Sequence, residues 1–345
     1  MRLVVKKVVR RVAVLAVPAS IAAVAAATGP VQTPAVAPAV RVVSFGGVST
    51  VPLLVAEAQG IFARHGVGVV TEFTPNSTVL RQGLADGTYE IAHAAADNAV
   101  AMAETAGVDV VVVMGIDDSM NELFVQPGIE SAAALKGRTL AVDAPNTAYA
   151  LQGRKILRLN GLENGRDYTL EVVGGTPQRL QAMLKNSQLT ASMLNPPFSI
   201  QAARAGLRSL GSASDLIGAY QGMSGFVRRS WAQENRETLV RYLAAYVEAL
   251  RWFLAPGNKT AALDVLTARL KLEPEVAAAT YALAVRSPGG LFPDAEIDVA
   301  GFANVLKLRA EIEGQWHGMP PPPEKYIDRS FLDAAIASLG RGRGR

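Results

Sequence analysis

The sequence predicts an α/β protein of two similar lobes, each a doubly wound sheet flanked by helices, followed by a helical C-terminal region. Three observations carry this. Short apolar, β-branched runs alternate with segments of helical periodicity, the pattern of sheets covered by helices. The polar residues that open helices at 50, 77 and 97 recur at 147, 176 and 195, so the strand–turn–helix order repeats after about one hundred residues. Beyond residue 230 the strand-like runs give way to amphipathic helices.

In the first lobe, residues 41–45 read as a strand and 46–50 as a turn. A helix is expected over 51–65, with Ser49 or Thr50 as N-cap, Pro52 tolerated in its first turn and Gly66 as its stop. Residues 67–73 form a second strand. Asn76-Ser77-Thr78 cap a helix ending at Asp86-Gly87, residues 89–95 form a third strand, and Asp97-Asn98 open a helix running to Gly107. Residues 108–114 are apolar apart from Asp109, as in a strand covered on both faces. The second lobe repeats this. Residues 138–142 are a strand, Asn146-Thr147 cap a helix to 161, and 169–173 are a strand. Thr176 caps a helix with Pro177 following, 189–194 are a strand, and Asn195-Pro196-Pro197 open the next helix. The C-terminal region begins with a helix over 234–254. Further helices follow Asn258, Pro274 and Asp298, prolines 320–323 form a rigid spacer, and Asp328 caps the last helix.

Charge and targeting are concentrated at the ends. Residues 1–27 hold Arg2, Lys6, Lys7, Arg10 and Arg11 with no acid, then an Ala/Val-rich run ending in Ala25-Ala26-Ala27. This is the order of a cleaved secretory signal, and the run is shorter than a membrane span requires. The expected organisation is a signal at 1–27, a flexible leader at 28–39, lobe 1 at 40–118 and 222–339, lobe 2 at 119–221, and a Gly-Arg tail at 340–345. The mature protein is expected in a Gram-negative periplasm. The formal net charge of +4 comes from the signal and the tail, so the body is mildly acidic and nucleic acid is not an expected partner. With no cysteine, thiolate zinc sites and cysteine nucleophiles are excluded, and His65, His93 and His317 are too scattered to suggest a metal cluster. No Walker, GxSxG or HExxH pattern occurs, so neither catalysis nor a cofactor is expected.

In open α/β sheets, ligands sit at the carboxyl ends of strands, where helix N-termini present free N–H groups. The candidate ligand-binding residues are therefore Ser49, Thr50, Ser77, Asp97, Asn98, Asn146, Thr147, Thr176 and Asn195. They fall in six turns, of which about half are expected to reach a ligand. Phe45, Tyr149, Phe198 and Tyr220 are the aromatics placed to hold an apolar or planar group. Arg81 and Arg179 are expected on solvated helix faces, His93 as a satisfied core or rim histidine, and Asp117-Asp118 at a hinge or against a ligand amine.

Several segments resemble the substrate-binding proteins for nitrate, sulfonate, taurine and thiamine precursors. Residues Pro52-Leu53-Leu54-Val55-Ala56-Glu57-Ala58-Gln59-Gly60-Ile61-Phe62 resemble that family's opening helix. Gln82-Gly83-Leu84-Ala85-Asp86-Gly87-Thr88-Tyr89-Glu90-Ile91-Ala92 is similar to its helix–strand element, with Glu90 where Asp is usual. Leu135-Lys136-Gly137-Arg138-Thr139-Leu140-Ala141-Val142 resembles its second-lobe strand, and Asn160-Gly161-Leu162 the end of the helix that follows. The resemblance spans about residues 40–255. It implies the type II periplasmic-binding-protein fold, crossovers near 116–124 and 218–226, and a solute held between the lobes. It also implies delivery by a monomer to an inner-membrane ABC permease with its ATPase. The solute is expected to be a small organic anion, sulfonate or carboxylate, or a heterocycle. The rivals are an enzyme on the same scaffold, as in thiamine-pyrimidine synthesis, whose cysteine-rich segment has no counterpart here, and a ligand-sensing module.

Overall fold

The computed structural model describes residues 39–341; the expected signal, nearly all of the leader and most of the Gly-Arg tail lie outside them. The first sheet is built from β1 (Val40–Ser44), β2 (Val69–Phe73), β3 (Ile91–Ala95) and β4 (Val110–Gly115). Between these strands lie α1 (Val51–Ala58), α2 (Ile61–Arg64), α3 (Ser77–Ala85) and α4 (Asp97–Thr105). The chain then crosses to a second sheet of β5 (Glu122–Val125), β6 (Thr139–Val142), β7 (Thr169–Val172), β8 (Ala191–Leu194) and β9 (Arg208–Ser212). Its helices are α5 (Ala148–Leu159), α6 (Thr176–Lys185), α7 (Phe198–Arg204) and α8 (Ala213–Ile217). It returns through β10 (Met223–Arg228) and ends in α9 (Arg229–Glu234), α10 (Arg236–Leu254), α11 (Lys259–Leu270), α12 (Pro274–Ala284), α13 (Val299–Glu313) and α14 (Ser330–Arg341). Among the described residues no helix is long and apolar enough to cross a membrane.

The two sheets have the same plan. Their strand orders are β2-β1-β3-β10-β4 and β7-β6-β8-β5-β9. In each, four strands run in one direction and the crossover strand (β10 or β5) inserts antiparallel between the third strand and the edge. Two sheets are what the repeat predicts, and the two crossovers are what the family resemblance implies. The chain's parallel pairs need helical connections, which is why helices cover both faces and why adjacent residues of one strand feed opposite cores. Val42 belongs to the core under α1 and α10, and Val43 to the one under α3 and α13. In the second sheet Leu140 and Ala141 divide in the same way. The C-terminal helices complete the first lobe. Leu243, Tyr246, Leu250 and Phe253 of α10 are fully buried against the sheet and α1, while Phe302 and Leu306 of α13 cover its other face.

Three local expectations are corrected. The helix expected over 51–65 is two helices, α1 and α2, broken at Gly60, whose φ of 63° lies in the left-handed region glycine adopts without penalty. Ser49 and Thr50 are not side-chain caps. They sit in a 3₁₀ turn, and the Thr50 hydroxyl donates to the Phe45 carbonyl instead. Neither Thr147 nor Thr176 caps its helix through its side chain: Thr147 turns its hydroxyl to Asp143, and Thr176 is already the first helical residue, after Gly175. Asn76 and Asp298 do cap, accepting from Val79 N and Gly301 N at 2.9 Å.

Candidate functional site

The parallel strands of both sheets point their carboxyl ends at one another, and the turns that follow them meet across a narrow cavity of about 30 Å³. The first lobe lines it with Phe45, Gly46, Gly47, Ser49, Ser77, Ala95, Asn98 and Met223. The second lines it with Asp143, Thr147, Ala148, Tyr149, Gly175, Thr176, Arg179 and Asn195. A second void of about 10 Å³ shares Ser49, Tyr149, Asn195 and Met223 and continues toward the crossovers at Asp117, Ser119 and Asn121.

The lobes touch around this cavity. Val48 N donates to Pro196 O at 3.2 Å and Gly175 N to Pro75 O at 3.0 Å. The Ser77 hydroxyl reaches Asp143 Oδ2 at 2.6 Å. Gly47 permits the approach, because a Cβ there would meet Asn195 Nδ2 at 3.3 Å and Pro196 O at 3.4 Å. Helix α13 joins the lobes a second time. It packs on the first-lobe core and, at its far end, pairs Glu311 with Lys155 and Glu313 with Arg154 of α5. Arg309, fully buried, bridges Asp97 (3.3 Å) in the first lobe and the Asn146 carbonyl (3.1 Å) in the second.

Eight of the thirteen expected residues line the cavity: Phe45, Ser49, Ser77, Asn98, Thr147, Tyr149, Thr176 and Asn195. Five lie elsewhere. Thr50 is buried beneath the turn. Asp97 is behind the wall on Arg309, and burial pushes its carboxyl up to about 7 against the opposing fields of Arg309 and Arg81. Asn146 faces Arg81 from across the cleft at 3.4 Å. Phe198 packs against the second-lobe core, and Tyr220 is buried in the first-lobe core.

Arg179 corrects the expectation of a solvated face. It is 1% exposed, its Nη1 lies 4.0 Å from Asp143 Oδ1, and its guanidinium carbon lies 5.0 Å from the centre of the Tyr149 ring. Asp143, absent from the expected set, accepts the hydroxyls of Thr147 and Ser77, each at 2.6 Å. Both were findable. Asp143 directly follows β6, as Phe45 follows β1, and Arg179 lies three residues after Thr176 on the same helix face. Arg81 is only half-buried. Asp117 is buried at the crossover, where Ser49 Oγ, Ser119 N and Met223 N donate to it, and burial still raises its pKa. His93 lies in the first-lobe core with Nε2 2.8 Å from Tyr242 OH, and burial holds it down at about 3. Among the described residues no group of three or more His, Asp or Glu is placed to hold a metal ion.

The pattern of the NMT1-like family matches residues 36–267. A putative ABC transporter periplasmic binding protein of Brachyspira hyodysenteriae is 24% identical over 220 residues, 57% of this chain; the chain spans about 60% of that relative's length. Among solved structures, a protein of Bordetella bronchiseptica superposes with a TM-score of 0.75 at 20% identity, covering 87% of this chain and 98% of its own. The periplasmic nitrate-binding protein of Synechocystis PCC 6803 gives 0.73 at 18% identity, covering 87% and 89%. The fold is that of these two-lobed proteins.

Proposed function

The chain belongs to the NMT1-like family, and we propose that it is the solute-binding component of an ABC importer, exported behind residues 1–27 and presenting its cargo to a membrane permease. The observation that carries this reading is the cavity itself, lined by eight residues from each lobe at the carboxyl ends of both sheets, where α/β proteins bind small molecules. The kinship with a putative ABC transporter periplasmic binding protein supports it.

The mechanism is capture by closure about the two crossovers. Solute entering an open cleft is enclosed when Gly47 meets Asn195 and Ser77 meets Asp143. A solute shifts this equilibrium only by the difference in its affinity for the two states. The α13 contacts with α5 contribute to the closed state whatever the cargo is. No reacting group is needed, and His93, the buried histidine, lies in the first-lobe core on Tyr242.

A thermal-shift panel of amides, amines, carboxylates, sulfonates and nitrate on the mature chain tests this. A true cargo at 100 times its Kd adds about 2.7 kcal/mol of stability. Gly46→Trp should abolish the shift, because a side chain at Gly46 starts in open space on the cavity wall. Absence of any shift, or a shift indifferent to Gly46→Trp, contradicts the proposal.

A further inference from the structure

The cavity's ionisable lining is one anion and one cation, Asp143 and Arg179, and they face each other. Arg179 has little left to offer a ligand. Its Nε donates to Ser192 Oγ (2.9 Å), its Nη1 to Gly174 O (2.7 Å), and its Nη2 to Thr176 Oγ1 (3.1 Å) and Met193 O (3.0 Å). A guanidinium has five N–H groups, so four are spent, and the fifth has Asp143 as its neighbour. The Tyr149 ring lies alongside it.

What the cavity leaves open is acceptor capacity. Asn98 and Asn195 line the cavity, and the Oδ1 of each is buried without a hydrogen-bond partner. The Asn98 amide is oriented by its Nδ2 donating to Ala95 O at 3.3 Å, which leaves the oxygen free. Asp143 accepts one hydroxyl on each oxygen and keeps lone pairs beyond them. A buried acceptor without a donor is costly, and a solute that supplies the donor recovers that cost. An oxyanion finds the opposite: a carboxylate in the wall, two amide oxygens, and a cation beside that carboxylate with four of its five N–H groups spent.

We propose that the cargo is an uncharged organic solute carrying N–H donors of the primary-amide or urea kind, read by Asn98, Asn195 and Asp143, and that Asp143 excludes free oxyanions. The proposal rests on the capture reading above and sets this cavity apart from one built for nitrate. Discrimination of this kind comes from the repulsive element as much as from the attractive one.

The test is a calorimetric titration of the mature chain with matched probes, phenylurea and benzamide against benzoate, benzenesulfonate and nitrate. The amide and urea probes should bind at least about tenfold tighter than the three anions, the worth of one hydrogen bond. Asn98→Ala should weaken them by a similar factor, and Asp143→Asn should narrow the gap by admitting benzoate. Should Asp143→Asn fail to fold, Asn195→Ala gives the same reading as Asn98→Ala. Anions binding more tightly than the amides, with Gly46→Trp blocking them, would overturn this inference and leave solute capture standing. Equal affinity across the probes would also overturn it. No binding by any probe, and none in the wider panel, would overturn both.

Discussion

The two lobes share a strand order and divide the work of the cavity unequally. The first lobe supplies an aromatic ring, two glycines, hydroxyls and an amide, none of them charged, while the second supplies both charges, Asp143 and Arg179. Corresponding places differ in kind. Phe45 follows β1 where Asp143 follows β6, and the arginine one turn into α6 is buried whereas the arginine one turn into α3, Arg81, is half-exposed and reaches across to Asn146. One lobe therefore carries a charge pair that is assembled within itself, and the other closes over it as a neutral cover. Closure then brings no unpaired charge into a dry site from the first lobe, which would oppose it by several kcal/mol.

The largest expected effect tests that division. Arg179→Ala strips four hydrogen bonds from a buried guanidinium and leaves Asp143 without its counter-ion, so it should cost about 3–5 kcal/mol in urea unfolding. Arg81→Ala, its counterpart in the first lobe, should cost about 1 kcal/mol or less, because the group is only half-buried. Equal costs would break the comparison.

A smaller effect separates the lobes by pH. His93, in the first-lobe core, is held neutral by burial, with its pKa lowered from 6.5 to about 3. The unfolded chain takes up a proton below pH 6.5 that the folded chain refuses until about pH 3. His93 therefore contributes stability that is present above pH 6.5 and lost as the pH falls through that window, at about 1 kcal/mol per pH unit. The second sheet and its helices contain no histidine. Chemical denaturation between pH 7 and pH 4 should show this slope in the wild type and a shallower one in His93→Phe. The same slope in both would remove His93 as its source.

Much of this architecture was legible because it depends on patterns that sequence states openly. The apolar run that follows Asp109 reads as a strand covered on both sides, and it is β4, Val110–Gly115, buried throughout. The recurrence of turn residues at 50, 77 and 97 and at 147, 176 and 195 announced two lobes of one plan. Short antiparallel pieces were less visible. β9, Arg208–Ser212, is polar and partly exposed, and its place beside β5 comes from the return of a distant strand rather than from its own residues. In the site, reading helix caps found turns that line the cavity but missed side chains that act through tertiary contact. Arg179 looks like any helix-surface arginine until Ser192 and Met193 of β8 are folded against it. Tyr220 looked like a ligand aromatic because it lies near a crossover, yet the packing of the first-lobe core claims it.

Hydrogen–deuterium exchange of the mature chain, with and without its best-binding solute, tests the central claim most directly. Capture between the lobes predicts slower exchange in turns of both lobes at once, around 45–49, 77–81 and 96–99 in the first and 143–149, 175–179 and 195–199 in the second. Protection confined to one lobe, or centred on the C-terminal helices away from these turns, would contradict it.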